Sequence, residues 1–272
     1  MKTTTVKRRE ASLVSDRHLR NIMGFPVWEA LPARDVPYEL SDPFLLVHEA
    51  TLKISPAMAN LDTEHPHRGF DNLWYVLKGT TSTGHTTGPG GRIERARLPE
   101  GSLLHLRTGR GVRHAEGIGA DQLREGLEGS EVRGVLFWVN LARRDKQVEP
   151  TARIVQADDL ARNQEGDASS RILVGEGSAV RLGTPALILD VVLERGGRAT
   201  HKVPSDFQGF AYLLEGAASF GANRARAEEG QLVLMGPGED FAVENARPGT
   251  RYLLMAGKPY GEEPRFNGPY VD

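Results

Sequence analysis

Short apolar runs, separated by glycine and proline, recur along the whole chain. Each run has the length of a strand and is rich in branched or aromatic side chains, and most are bounded by turn-forming residues. The runs span residues 73–77, 102–106, 134–139, 186–193, 209–214, 231–235 and 252–256. Many short strands at regular spacing predict an all-β sandwich or barrel. Helical patterns are scarce, and only residues 15–23 and 158–163 are predicted to form a few helical turns.

The two halves of the chain follow the same plan. The sequence YVLKG at 75–79 corresponds to YLLEG at 212–216, and each segment is followed by a loop and then by a strand that begins after Gly101 or Gly230. This order indicates a duplicated β-barrel unit. The polar segment 163–170 is predicted to be a linker between the halves. The predicted domains are therefore residues 1–150 and 151–272.

Composition narrows the class of protein. The chain of 272 residues is long enough for one large domain or two of ordinary size. Its 34 basic and 36 acidic residues balance, so neither a membrane nor a nucleic acid is expected as a direct partner. The absence of cysteine excludes disulfides, thiolate ligands and cysteine nucleophiles. Because no secretory signal and no run of ~18 apolar residues is present, we expect a cytoplasmic protein.

Two short motifs, HPH at 65–67 and HAE at 114–116, hold the candidate chemistry. Each places two donor side chains at positions i and i+2, which share one face of an extended strand. Either motif alone would also fit a turn with solvated side chains. Two such strands inside a barrel would bring three imidazoles and one carboxylate together, a donor set that suits a divalent metal with open positions for substrate or dioxygen. The candidate ligands are His65, His67, His114 and Glu116.

Other polar residues near these motifs are less suitable as ligands. His105 lies in an apolar run and is predicted to have a structural role. Asp71, at an even offset from His67, is an alternative oxygen donor that we rank below the glutamate of the second motif. His85 lies in a loop rich in glycine and threonine and is expected to be solvated. His201 has no second histidine near it, so the second domain is predicted to be metal-free.

The motifs and their order resemble the pirin family. The matching segments are 42–46, 65–70 (HPHRGF), 109–116 (GRGVRHAE), 138–141 and 146–150. They occur in the family's order across residues 40–150, and segments 197–201 and 212–216 resemble the pirin C-terminal domain more loosely. The resemblance implies a bicupin, in which two antiparallel, jelly-roll-like β-barrels with few short helices hold a single metal in the N-terminal domain.

The resemblance also implies a ligand set and an activity. By motif position the ligands would be His65, His67, His114 and Glu116, and the metal would be Fe²⁺, with Mn, Ni, Cu or Zn as alternatives. Some family members are similar to quercetin 2,3-dioxygenases, which open a flavonol ring with O₂ and release CO. Eukaryotic members resemble nuclear co-regulators that bind transcription factors in a metal-dependent way. The chain departs from the family pattern at Asp71, His105 and Arg107. These differences affect the shape of the pocket, and so bear on the substrate more than on the metal.

The leading hypothesis is therefore a metal-dependent dioxygenase whose substrates are O₂ and a small aromatic enol such as quercetin. The substrate's 3-hydroxyl would bind as an oxyanion, since a bound cation lowers the pKa of a coordinated hydroxyl, and Glu116 would accept its proton. Candidates for an apolar slot are Trp74, Phe70 and Leu106, and Arg68 and Arg110 are candidates for closing its mouth. The alternatives are a non-catalytic, metal-dependent regulatory protein with a protein partner, and a bicupin whose metal only braces the barrel.

Overall fold

The computed structural model describes residues 7–22, 24–58, 63–87, 89–117, 123–124 and 126–272, without the side chains at 89, 116 and 117. The strands of these residues are β1 (Ala11–Asp16), β2 (His18–Ile22), β3 (Phe25–Leu31), β4 (Phe44–Lys53), β5 (Glu64–His67), β6 (Phe70–Lys78), β7 (Thr80–His85), β8 (Glu94–Pro99), β9 (Leu103–Arg107), β10 (Val112–Gly117), β11 (Glu131–Asn140), β12 (Thr151–Val155), β13 (Ala161–Glu165), β14 (Ala168–Val174), β15 (Ala186–Leu193), β16 (Gly197–Lys202), β17 (Gln208–Glu215), β18 (Ala217–Phe220), β19 (Ala225–Glu228), β20 (Gln231–Met235), β21 (Asp240–Ala246), β22 (Thr250–Gly257), β23 (Phe266–Asn267) and β24 (Tyr270–Val271). The helical segments are α1 (Tyr38–Ser41) and the single 3₁₀ turns Pro56–Met58, Pro89–Gly91 and Arg143–Asp145.

The predicted all-β class with few short helices is confirmed, and every predicted apolar run coincides with a strand apart from Ser102, which precedes β9. The two predicted helices are wrong. Residues 15–16 belong to β1 and 18–22 to β2, whereas 158–160 lie in a turn and 161–163 begin β13. The predicted linker 163–170 is also wrong, because it forms the hairpin of β13 and β14. β2 and β13 are largely exposed, so their polar residues give no apolar alternation from which to recognise a strand.

The chain forms two compact units. The first consists of Met1–His18, Ala30–Phe44 and Leu160–Gly261, and the second of Leu19–Glu29, Leu45–Asp159 and Glu262–Asp272. Each unit includes a segment from either end of the chain, and the predicted domains 1–150 and 151–272 stay a prediction. No helix of the described residues has the length and apolar character needed to cross a bilayer.

Each unit contains a seven-stranded and a four-stranded sheet with the same plan. In the first unit the strand orders are β1-β20-β17-β22-β15-β14-β13 and β16-β21-β18-β19. In the second unit they are β12-β9-β6-β11-β4-β3-β2 and β5-β10-β7-β8. The central strands correspond pairwise, β9 with β20, β6 with β17 and β11 with β22. This correspondence confirms the duplication that the sequence indicates.

Matching glycines mark the same turns in both units. Gly79 directly follows β6 and Gly216 directly follows β17, and both have φ of 80°. Gly101 and Gly230, which precede β9 and β20, have φ of 78° and 85°. Only glycine adopts this left-handed region without a steric cost from Cβ. The turn geometry therefore explains why glycines recur at these points of both halves.

The core of the first unit is dense and aromatic. Phe220 lies 6.1 Å from Phe241 and 5.7 Å from Tyr252, measured between ring centroids, and all three side chains are fully buried. Packing of this kind fills the space between the two sheets of a unit with large apolar side chains.

The second unit encloses a cavity beside its core. The buried residues Val76, Leu98 and Leu104 form an apolar cluster, against which the indole of Trp74 packs. A Cβ atom added at Gly134 of β11 would lie 2.5 Å from Cζ2 of Trp74. Glycine at this position therefore leaves room for the indole ring, which forms part of the cavity wall.

Candidate metal centre

Three histidines of the second unit converge on one point. His65 and His67 belong to β5 and His114 to β10, and these strands pair antiparallel with His65 opposite His114. The candidate ligand atoms of the three side chains all lie within 4.8 Å of one another. Their ring centroids are 4.4 to 4.8 Å apart. The i, i+2 spacing of the HPH motif therefore places both of its imidazoles on the face that meets His114.

Burial favours the neutral form of two of the three imidazoles, His67 and His114. Burial, and next the neighbouring His65, lowers the pKa of His67 to about 4. Burial, and next His67 and His65, holds the pKa of His114 well below its usual range. A neutral imidazole has one nitrogen with a free lone pair, which is the form that binds a metal.

Hydrogen bonds at Nδ1 leave the Nε2 lone pairs of the two β5 histidines free to bind a metal. His65 Nδ1 donates to the carbonyl oxygen of Thr63 at 2.7 Å, and His67 Nδ1 donates to that of Pro269 at 3.3 Å. The Nε2 atoms of His65 and His114 lie 3.0 Å apart. Two nitrogens at about 2.1 Å from one ion and at right angles to each other would be separated by about 3 Å. The donor set therefore fits a single divalent ion.

Glu116, the fourth predicted ligand, is described only in its main chain. It lies in β10 opposite Thr83 of β7. Its side chain lies outside the described part of the structure, so its roles as ligand and as proton acceptor stay predictions.

The prediction for His85 is wrong. His85 is the last residue of β7, lies opposite His114 of the neighbouring strand β10 and is only 4% exposed. Its Nδ1 atom and Oγ1 of Thr87 are 2.8 Å apart. The stretch that the sequence suggests to be a solvated loop is thus a strand that packs beside the histidine cluster.

Asp71 does not join the cluster, so it is not the alternative oxygen donor that the sequence suggests. Its Oδ1 atom accepts hydrogen bonds from His105 Nε2 at 2.8 Å and Arg107 Nε at 3.1 Å. This arrangement agrees with the structural role predicted for His105. The even offset from His67 fails because Gly69, with φ of 93°, separates β5 from β6. Parity holds only within a continuous strand.

The segment 266–272, which we name the C-terminal segment, supports the cluster from behind. Its Pro269 accepts the hydrogen bond of His67 Nδ1. Lys146 Nζ donates to Gly69 O at 2.8 Å, to Asn140 Oδ1 at 2.8 Å and to Val271 O at 3.1 Å. Burial lowers the pKa of Lys146 to about 8, so at pH 7 its ammonium still carries three N–H donors. The buried lysine thereby ties the C-terminal segment to the turn that follows His67.

The two arginines predicted at the cavity mouth have other partners and do not line the cavity. Arg68 binds the carboxylate of Asp272 with contacts of 2.8 to 3.1 Å and lies over the ring of Tyr270. Arg110 pairs with Glu149 at 2.8 Å. Arg68 instead belongs to the contacts that hold the C-terminal segment.

The variant Lys146→Met tests this support. Methionine keeps an apolar stem but donates no hydrogen bond, so the C-terminal segment loses its buried tie. We expect the affinity for Zn²⁺ to fall roughly 10-fold, because outer-shell partners of metal-ligating histidines typically contribute 10–100-fold. Competition with a chelating dye measures this affinity. Lys78→Met, which removes an exposed lysine paired with Glu131, is the matched control. Unchanged affinity in a folded Lys146→Met protein would show that the segment does not support the cluster.

The histidines open onto a cavity of about 280 Å³ within the second unit. Its wall is mainly apolar and includes Phe25, Val27, Leu46, Leu52, Leu104 and Leu136. Of the predicted slot residues Trp74 lines the cavity, whereas Phe70 and Leu106 do not. Phe70 stacks on Trp138 at 4.1 Å, and Trp138 contacts the ring of His67 at 5.0 Å. Small-molecule sites of proteins have this composition, with an apolar wall and few polar groups.

The first unit has no matching set of histidines on the strand pair that corresponds to β5 and β10. β16 and β21 pair Ala199 with Val243 and His201 with Phe241. His201 remains in β16, and its Nε2 atom lies 2.7 Å from a buried tyrosine hydroxyl. A single imidazole among apolar partners gives a physical reason for the predicted lack of metal in the domain 151–272, which stays a prediction.

Comparison with known proteins supports the sequence resemblance. The pirin C-terminal cupin domain model matches residues 188–272. Pirin-1 of Arabidopsis thaliana is 30% identical over 244 residues, which covers 87% of this chain and 79% of Pirin-1.

Solved structures share the fold. Quercetin 2,3-dioxygenase from Acinetobacter baumannii matches with a TM-score of 0.84 at 24% identity, over 97% of this chain and 92% of that chain. Bacterial pirin YhhW in complex with nickel(II), from Escherichia coli, matches with a TM-score of 0.66 at 14% identity, over 94% of this chain and all of that chain (100%). The predicted bicupin architecture is thereby confirmed.

Proposed function

Since this chain belongs to the pirin family, we propose that it is a metal-dependent dioxygenase that opens a flavonol such as quercetin with O₂ and releases CO. The observation that carries this proposal is the position of the histidine cluster at the wall of a mainly apolar cavity. The cluster suits a metal, and the cavity suits a flat aromatic molecule.

The metal that we propose is one Fe²⁺ ion per chain. His65, His67, His114 and Glu116 would hold it, and their imidazole nitrogens also accept Mn, Ni, Cu or Zn. When bound, the ion would supply a Lewis acid that lowers the pKa of a substrate hydroxyl and promotes reaction with O₂. The nickel(II) complex of YhhW supports a divalent ion at this fold.

The protein's own residues would position the substrate and move one proton. Glu116 would accept the proton of the flavonol 3-hydroxyl. The hydrogen bonds of His65 and His67 at Nδ1 hold their rings in place, so that these rings need not reorganise during the reaction. The apolar wall would bind the aromatic rings and keep bulk water from the reacting carbon atoms.

The proposed activity predicts a fixed product ratio. Protein reconstituted with Fe²⁺, Mn²⁺, Ni²⁺ or Cu²⁺ and supplied with quercetin and O₂ should release one CO for each flavonol consumed. Gas analysis of CO alongside the loss of flavonol absorbance measures this ratio. The metal-free protein, prepared in the same way, is the control for uncatalysed oxidation of quercetin.

The same experiment separates the alternative function. Flavonol loss without CO, or no turnover with any of these metals, would contradict the dioxygenase. Metal-dependent capture of a protein partner, together with absent turnover, would instead favour a regulatory protein of the pirin type.

A further inference from the structure

The cavity contains more polar atoms than a metal site requires. With the exception of Arg9, every residue that holds a buried side-chain polar atom without a hydrogen-bond partner, among the described residues, belongs to the lining of this cavity: Asn72, Trp74, Thr83 and Trp138. A buried polar group without a partner is destabilising, and native proteins have few of them. These residues lie on β6, β11 and β7, so both sheets contribute polar groups to the cavity lining that a ligand with complementary polar groups could engage.

His48 of β4 adds an oriented polar group to the same cavity. β4 belongs to the seven-stranded sheet, whereas the histidine cluster lies on the four-stranded sheet. His48 Nε2 lies 2.9 Å from Oε2 of Glu29, and Oε1 of Glu29 accepts a hydrogen bond from Arg20 at 3.1 Å. His48 and Glu29 are both buried, at 8% and 6% exposure.

This arrangement fixes which ring nitrogen of His48 carries the proton. Glu29 accepts the hydrogen bond of Arg20, and a glutamate carboxylate can only accept hydrogen bonds. His48 must therefore donate through Nε2. Burial is the largest cause that lowers the pKa of His48 and favours its neutral form. Its Nδ1 atom then keeps a lone pair and can only accept a hydrogen bond.

We infer that His48 is a specificity residue, whose Nδ1 atom accepts a hydrogen bond from a ligand hydroxyl outside the metal-binding group, and that Glu29 positions it. This inference rests on the proposed function, because it places one end of the same aromatic ligand at the histidine cluster. The ligand class is a flat aromatic molecule with a metal-binding enol at one end and a phenolic hydroxyl at the other. A ligand without the second hydroxyl would leave Nδ1 of His48 without a hydrogen-bond donor, while Nε2 would keep its contact with Glu29.

Two probes and three variants test the inference. Quercetin carries several phenolic hydroxyls, whereas 3-hydroxyflavone carries only the metal-binding hydroxyl and its neighbouring carbonyl. Binding of each probe to the full-length chain loaded with Zn²⁺ is followed through quenching of tryptophan fluorescence, because Trp74 and Trp138 line the cavity. Zinc is redox-inert, so that binding is measured without turnover.

The wild-type chain should bind quercetin at least about 10-fold more tightly than 3-hydroxyflavone. His48→Phe should remove most of this preference by weakening quercetin about 10-fold, with 3-hydroxyflavone changed less than about twofold. His48→Asn, whose amide oxygen can replace the Nδ1 acceptor, should retain most of the preference. Glu29→Gln should lose it, because a glutamine amide can donate to Nε2 and so leave the proton on Nδ1.

Each other outcome has a defined meaning. The inference alone would be overturned if the wild-type chain bound both probes equally, or if His48→Phe weakened both probes equally or kept the preference. It would also be overturned if Glu29→Gln kept the preference or if His48→Asn lost it. Failure of the wild-type chain to bind either probe would overturn the proposed flavonol function and the inference with it. If His48→Phe does not fold, the contrast between His48→Asn and Glu29→Gln decides, since retention in the first and loss in the second requires an acceptor at Nδ1.

Discussion

Replacement of His67 by alanine should lower the affinity for a divalent ion by more than about 100-fold. This loss is larger than the 10–100-fold that typically follows from mutating a residue that only hydrogen-bonds to a ligand. His67 is one of three imidazoles whose ligand atoms lie within 4.8 Å of one another. It is buried, and its Nδ1 hydrogen bond to Pro269 holds the ring in place. Alanine removes one donor and leaves a gap beside Trp138, which no other described histidine is placed to fill.

Titration with Zn²⁺ in the presence of a competing chelator measures this loss. His18→Ala, which removes an exposed histidine from β2, is the control for loss of a histidine outside the cluster. A thermal melt of the metal-free variant establishes that it is folded. If folded His67→Ala binds the ion as tightly as wild type, the ion is bound elsewhere and the cluster is not the metal site.

Replacement of Glu116 by glutamine should lower quercetin turnover by about 10²- to 10⁴-fold, the usual contribution of a general base. Glutamine keeps the size and a carbonyl oxygen of glutamate but cannot accept a proton. The three histidines remain, so that the loaded protein should still contain about one ion per chain. The loss should therefore appear in kcat more than in metal content.

Turnover and metal content are measured on the same preparation. Glu131→Gln is the matched control, because it changes an exposed glutamate of β11 that pairs with Lys78. This variant should retain wild-type turnover. Wild-type turnover in Glu116→Gln would refute the role of this residue as the proton acceptor.

Apolar periodicity was sufficient to predict the fold class. Runs 186–193 and 231–235 coincide with β15 and β20, because strands whose side chains are buried or half-buried along their whole length are rich in branched apolar residues. Edge strands gave no such signal. β2, with the sequence HLRNI, is largely exposed and was predicted to be helical, since nothing in its composition requires a buried face.

The histidine cluster was predictable because its geometry is local. His65 and His67 share one face of one strand, and the second motif supplied His114. The supporting groups are not local. Pro269 lies 202 residues from His67, and no periodicity connects the two.

The polar pair on the other sheet was missed for a related reason. His48 lies within the largely buried β4, in which a single histidine resembles a core residue. Its partner Glu29 belongs to β3, and only the arrangement of the strands brings the two side chains to 2.9 Å. An isolated histidine in an apolar strand, with a glutamate in the preceding strand, is the signal that could have indicated this pair.

X-ray absorption spectroscopy of the metal-loaded protein tests the central claim most directly, because it counts the ligands of the ion. The account predicts one ion per chain with three imidazole nitrogens at about 2.0–2.1 Å if zinc is used, and fewer imidazoles in His67→Ala. An ion surrounded only by oxygen ligands, or a chain that takes up no ion, would contradict it.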